Sequence, residues 1–211
     1  MTTLLEQKLR NSSLVCITDA ELASILSVAD NQRYSIVKRA IVKGDLIHIR
    51  RGLYCLGKHL TTKTPHPFEL AQKIYWPSYV SLESALSYHG LIPEAVYSIT
   101  SVATKRSKEF HTPLGNFSYI KIPSDNFFVE VERKEEQGNY FFIAKPWKAI
   151  LDYLFCYKKN WHGLEPLVDD LRIEVDELPQ LSLDTIEILM GYYKSQRIKQ
   201  FLNSIAKELQ P

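Results

Sequence analysis

The sequence predicts an α+β protein, and three observations carry that expectation. Short runs of helical and of strand-like periodicity are mixed through residues 3–143. From Pro146 onward the apolar spacing is helical to Leu209. The 211 residues are 45% hydrophobic and 24% charged, which is enough apolar surface to bury a core and argues against a disordered or disulfide-scaffold class.

The elements follow in order. Leu4, Leu5 and Leu9 recur at helical spacing and predict a first helix over residues 3–11. Thr18 stands three residues before Glu21, a capping box in which the hydroxyl accepts from the Glu21 amide while the carboxylate reaches back, so a second helix starts there. Leu22, Ile25 and Leu26 form its apolar stripe. Residues 27–31 offer a turn and a new N-cap at Asp30 or Asn31, and the third helix runs to Lys43, with Gly44 placed for a left-handed C-cap. On that helix Tyr34, Val37, Ala40 and Ile41 are expected on the buried face. Two β-prone runs, residues 46–49 and 53–56, flank Arg50-Arg51-Gly52 and read as a hairpin.

Three helices, the second and third joined by a tight turn, followed at once by a hairpin, are the order of a winged helix-turn-helix, placed here at residues 1–57. Residues 58–67 are polar, contain two prolines and lack apolar periodicity, so they are expected as a linker. Residues 68–211 then form a mixed α/β C-terminal domain with a helical tail. Its helices are expected near residues 68–75 and 82–89. Its strands are expected near residues 79–81, 96–103, 117–122, 127–132 and 140–143. A helix opens at Pro146 on Trp147, Ile150, Leu151, Leu154 and Phe155.

The net charge of +2 is near neutral, so affinity for a polyanion has to come from clustered charge. Such a cluster exists: from Arg33 to Arg51 there are six Lys or Arg against one acid, Asp45. It coincides with the third helix and the hairpin tip. Double-stranded DNA is the expected partner. Gln32, Arg33 and Ser35 carry donors and acceptors suited to base edges, while Lys38, Arg39, Lys43, Arg50 and Arg51 suit phosphates. Arg50 and Arg51 would follow the backbone or enter a minor groove. The competing reading is a winged helix used to dock a protein.

Cys16, Cys55 and Cys156 are odd in number and far apart, so neither a disulfide framework nor a cysteine zinc site is expected, and a reducing cytoplasm fits. No run approaches a membrane span. Asp125 with Glu132, Arg133 and Lys134 echoes the carboxylate and lysine set of magnesium-dependent nucleases, but the stretch is simply rich in charge. The six histidines lack the spacing of zinc ligands, and no nucleophile or phosphate-loop motif is present, so no metal, cofactor or catalytic residue is expected. His89 before Gly90 belongs at a helix C-terminus. Residues 162–187 hold eight acids against Arg172 alone; they pair with the basic last helix or face a basic partner.

With RRGLYCLG at the hairpin and SLESALSYHGL at residues 81–91, the chain resembles the AbiEi family of antitoxin regulators, partners of AbiEii-type nucleotidyltransferase toxins. Arg51-Gly52-Leu53-Tyr54, Ala103-Thr104, residues 111–122 and AKPWKAILD at residues 144–152 also fit, although the family usually has Glu at Lys148 or its neighbour. The resemblance covers about three quarters of the chain. It implies a winged helix that represses its own operon at inverted repeats, and a C-terminal domain that contributes to repression and is needed to counteract the toxin, without a stable toxin complex.

Overall fold

A computed structural model describes residues 4–94, 96–123 and 125–209 except 11–13, with the backbone alone at residues 4 and 10. The fold is α+β. Helix α1 (Leu4–Arg10) leads to strand β1 (Cys16–Thr18), helix α2 (Asp19–Leu26) and helix α3 (Asp30–Lys43). Strands β2 (Leu46–Arg50) and β3 (Leu53–Leu56) close a three-stranded antiparallel sheet in the order β1-β3-β2.

Local chemistry sets these boundaries. The capping box holds: the Thr18 amide donates to the Glu21 carboxylate at 2.6 Å and the Glu21 amide to the Thr18 hydroxyl at 3.3 Å. Helix α3 ends at Gly44, whose φ of +82° is the left-handed conformation that glycine adopts without a Cβ penalty. Its start differs from expectation. Ala29 is the N-cap with no side-chain cap, because the Asp30 carboxylate turns to Arg33 instead of the helix amides. Leu5, Leu9, Ile17, Leu22, Leu26, Val37, Ala40, Leu46 and Leu56 bury together under these elements.

The second body is a six-stranded mixed sheet in the order β6-β7-β5-β4-β9-β8. Its strands are β4 (Ser78–Val80), β5 (Ser98–Ala103), β6 (Lys108–Thr112), β7 (Gly115–Lys121), β8 (Val131–Glu136) and β9 (Asn139–Ala144). The β4/β9 and β5/β7 pairs are parallel and the rest antiparallel. Helices α4 (Pro67–Ile74), α5 (Leu82–Tyr88) and α6 (Pro146–Cys156) pack on it. The tail follows as α7 (Glu165–Leu171), a 3-10 turn at Val175–Glu177, α8 (Leu183–Tyr192) and α9 (Gln196–Glu208). In α9, Ile198, Phe201, Leu202 and Ile205 lie one turn apart and are all buried, which fixes the tail on the core. No helix among the described residues is long and apolar enough to cross a membrane.

Two strands lie outside the expected set, and one expected strand shifts. Strand β6 (KEFHT) is mostly exposed and polar, and β1 has three residues, so neither shows a period a sequence reader can see. Residues 127–130 form turns, and strand β8 starts at Val131, where pairing with Ala144 begins.

No disulfide framework is expected of three widely spaced cysteines, and one disulfide is nevertheless present. Cys16 and Cys55 are bonded, because β1 lies antiparallel to β3 with Cys16 directly opposite Cys55. Cys156 is free. The bridge is buried in a cluster shared by both bodies: Cys16, Ile49, Leu53 and Cys55 meet Leu70, Ala71 and Ile74 of α4 and Phe117 and Tyr119 of β7. Residues 58–67 are held against this assembly. His59 bonds the buried Asp45 at 2.7 Å, Leu60 is buried, and His66 caps α4 while stacking on Phe141 at 4.8 Å. Gly57 is required there, since a Cβ would fall 2.0 Å from the Gly44 carbonyl oxygen.

The core of the second body contains a charge pair. Lys148 and Asp152 of α6 are fully buried and 2.7 Å apart. Asp152 also accepts from Tyr79 at 3.0 Å, Ser81 at 2.8 Å and Tyr193 at 2.6 Å. Burial pulls the Lys148 ammonium below its usual pKa, against the opposing pull of Asp152. The Tyr79 and Tyr193 hydroxyls are pushed well up, by burial first and by Asp152 second. Every oxygen of the carboxylate is satisfied, which is what allows a charge to persist there.

Candidate nucleic-acid interface

Helix α3 presents its polar face because Val37 and Ala40 anchor the opposite one. The eight residues expected at a DNA surface divide into two sets. Gln32, Ser35, Lys38, Arg39 and Arg51 are exposed. Ser35 donates its hydroxyl to the Asn31 carbonyl at 3.1 Å, and Arg39 donates Nε to the Ser35 carbonyl at 3.3 Å, so both stay close to the helix surface.

Arg33, Lys43 and Arg50 are engaged elsewhere. The Arg33 guanidinium bridges Asp30 at 2.7 Å and Asp19 at 3.2 Å, joining α3 to the start of α2, and its side chain is 15% exposed. Those hydrogen bonds, Asp30 first, raise its pKa further. Lys43 pairs with the buried Glu6 of α1 and lies 3.7 Å from Asp45. Arg50 donates to the Arg51 carbonyl at 2.8 Å and, across the seam, to the Lys73 carbonyl at 3.2 Å. The hairpin turn is further pinned by the Asp19 amide, which donates to the Gly52 carbonyl at 3.0 Å.

Tyr34 and Ile41, expected to be buried, are 71% and 36% exposed. They flank a cleft of about 370 Å³ between α3 and the hairpin, also lined by Lys38, His48 and Tyr54. The buried stripe of α3 is narrower than the sequence pattern implies, because the neighbouring sheet covers only the side of Val37 and Ala40.

Sequence reasoning missed a second basic group. The loop between β5 and β6 exposes Lys105 and Arg106, and Lys108 at the start of β6 is exposed beside them. Tyr75 anchors it: its hydroxyl donates to the Arg106 carbonyl at 2.9 Å and Lys105 lies over its ring at 5.7 Å. Tyr75 stands two residues after Lys73, the residue that Arg50 reaches, so this loop flanks the hairpin. The signal was the TKRSK run itself; its distance of more than fifty residues from the hairpin turn in sequence hid the neighbourhood.

The residues that echoed a nuclease are held in three different pairs. Asp125 pairs with Lys194 at 3.2 Å, Lys134 with Glu132 at 3.1 Å, and Arg133 lies over Tyr140 at 4.2 Å. Among the described residues, no group of three or more His, Cys, Asp or Glu side chains is placed to hold a metal ion. In the acidic segment, Arg172 pairs with Glu94 and Asp170 with Lys159, so the ion pairs found there do not run to the last helix.

Compared with known proteins, the chain matches no family model, and no curated protein matches it. Residues 81–91 and 144–152 meet in the core: Ser81 donates to Asp152, and His89 Nε2 lies 2.8 Å from the Ala144 carbonyl. Packing alone accounts for the residue types at those positions.

Proposed function

We propose that this chain is a cytoplasmic, sequence-specific DNA-binding regulator with an N-terminal winged helix-turn-helix at residues 1–57, and that it acts as an antitoxin of the AbiEi type. It represses its own operon at inverted repeats and opposes a nucleotidyltransferase toxin. The observation that carries the reading is one surface: the exposed face of α3 and the Arg51 turn stand side by side, tied together through Asp19, which bonds both Arg33 and Gly52. Among the described residues, the exposed cations of this region that lie outside an ion pair are Lys38, Arg39 and Arg51, and the flanking segment adds Lys105, Arg106 and Lys108. Burial of the Cys16–Cys55 bridge shields it from thiol reductants, so the bridge and a cytoplasmic location are compatible.

Six neutralised phosphates give a slope of log K against log salt on the order of −5. Gel shifts with the DNA upstream of its own gene, repeated across salt concentrations, test this. A steep slope and sequence preference support the regulator; a flat slope refutes it. Rescue of cells expressing the neighbouring toxin gene tests the antitoxin role separately.

A further inference from the structure

We propose that Tyr34, Lys38 and Val42 of α3 form a reading stripe for thymine, contacting its C5-methyl group in the major groove. The inference rests on the DNA reading above and names the bases it selects. Tyr34 is 71% exposed and Val42 84% exposed, and they lie one helical turn to either side of Lys38, with Ile41 beside them at 36%. This is the outward face of the helix, opposite Val37 and Ala40, whereas Arg33 is turned inward onto Asp19 and Asp30. Apolar side chains on the most exposed stripe of a cationic helix need a partner that is anionic overall and apolar at one point.

A duplex provides both. Its phosphates complement Lys38, Arg39 and Arg51, and the thymine methyl is the apolar group among the base edges of the major groove. Tyr34 borders the cleft of about 370 Å³ that the His48–Tyr54 ring pair also lines, and at 71% exposure its ring is open to a methyl without displacing the hairpin. A selected site is therefore expected to hold A·T pairs where this stripe docks.

The test uses the full chain and duplexes it selects from a random-sequence pool. Binding is then compared between the thymine duplex and the same duplex with deoxyuridine at the A·T positions, which removes only the methyl groups. The wild-type chain is expected to lose about fourfold in affinity for each methyl it covers, the ratio of one buried methyl group. In Tyr34→Ala/Val42→Ala, whose altered side chains are exposed, that penalty disappears while salt-dependent binding remains. Binding by the wild-type chain that is strong but indifferent to deoxyuridine overturns this inference alone, as does a penalty that persists unchanged in the double variant. Failure to bind any duplex overturns the regulator reading and this inference together.

Discussion

Arg33 and Asp19 are joined by two contacts, Nη2 to Oδ2 at 3.2 Å and Nε to Oδ1 at 3.4 Å, across the turn between α2 and α3. An arginine that sequence position assigns to base reading is thereby a strut between the two helices. Direct readout and bracing predict different outcomes. If Arg33 braces the helix pair, Asp19→Ala weakens DNA binding about as much as Arg33→Ala, even though it removes a negative charge near the phosphates. Arg33→Lys, which keeps one ion pair, recovers part of the loss. Gel shifts on the three variants decide, and binding that is unchanged or tighter in Asp19→Ala points back to base reading.

The Lys148–Asp152 pair is a stability element with no solvent to compensate its loss. Lys148→Met leaves a buried carboxylate without its cation and costs about 3–5 kcal/mol. Lys148→Met/Asp152→Leu recovers part of that cost, although the hydroxyls of Tyr79, Ser81 and Tyr193 then lose their acceptor. Urea denaturation of the single and double variants measures both, and additive losses contradict the pairing.

The buried phenols set an alkaline limit. Tyr79, Tyr119 and Tyr193 all have hydroxyls whose pKa is raised above 10.0, with burial the leading cause. Below that pH both states keep these protons and stability is unaffected. Above it the unfolded chain ionises and the folded chain does not, so stability falls by about 1.4 kcal/mol per pH unit for each such phenol. Tyr88, pushed up to about 12 by burial and then by Glu136, adds to the loss between those values. Denaturation midpoints at about pH 8 and about pH 11 should differ sharply, and equal midpoints contradict the assignment.

The Cys16–Cys55 bridge closes a loop of 39 residues that contains α2, α3 and β2. Constraining that loop in the unfolded chain is worth about 2–4 kcal/mol, so Cys16→Ser/Cys55→Ser should melt earlier, with the proposed DNA binding retained at low temperature. Thermal melting of the double variant beside the wild-type chain checks this. Thiol titration of the denatured, unreduced wild-type chain is expected to find Cys156 alone, and a titration that also finds Cys16 and Cys55 shows that the pair is not bonded in solution.

Several features were legible in the amino-acid order because their causes are local. Thr18 with Glu21 starts α2, Gly44 ends α3, the Arg51–Gly52 turn makes the hairpin, and Pro146 opens α6; each depends on residues within one turn of chain. The clustering of cations between Arg33 and Arg51 was equally plain. What those cations touch was not. Asp19 is fourteen residues from Arg33, Glu6 is thirty-seven from Lys43 and Lys73 is twenty-three from Arg50, so only the folded chain decides which charges are spent on internal partners and which remain for a polyanion. The same holds for Cys16 with Cys55 and for the loop at Lys105: strand pairing and helix docking bring them to their places, and spacing along the chain carries no record of either.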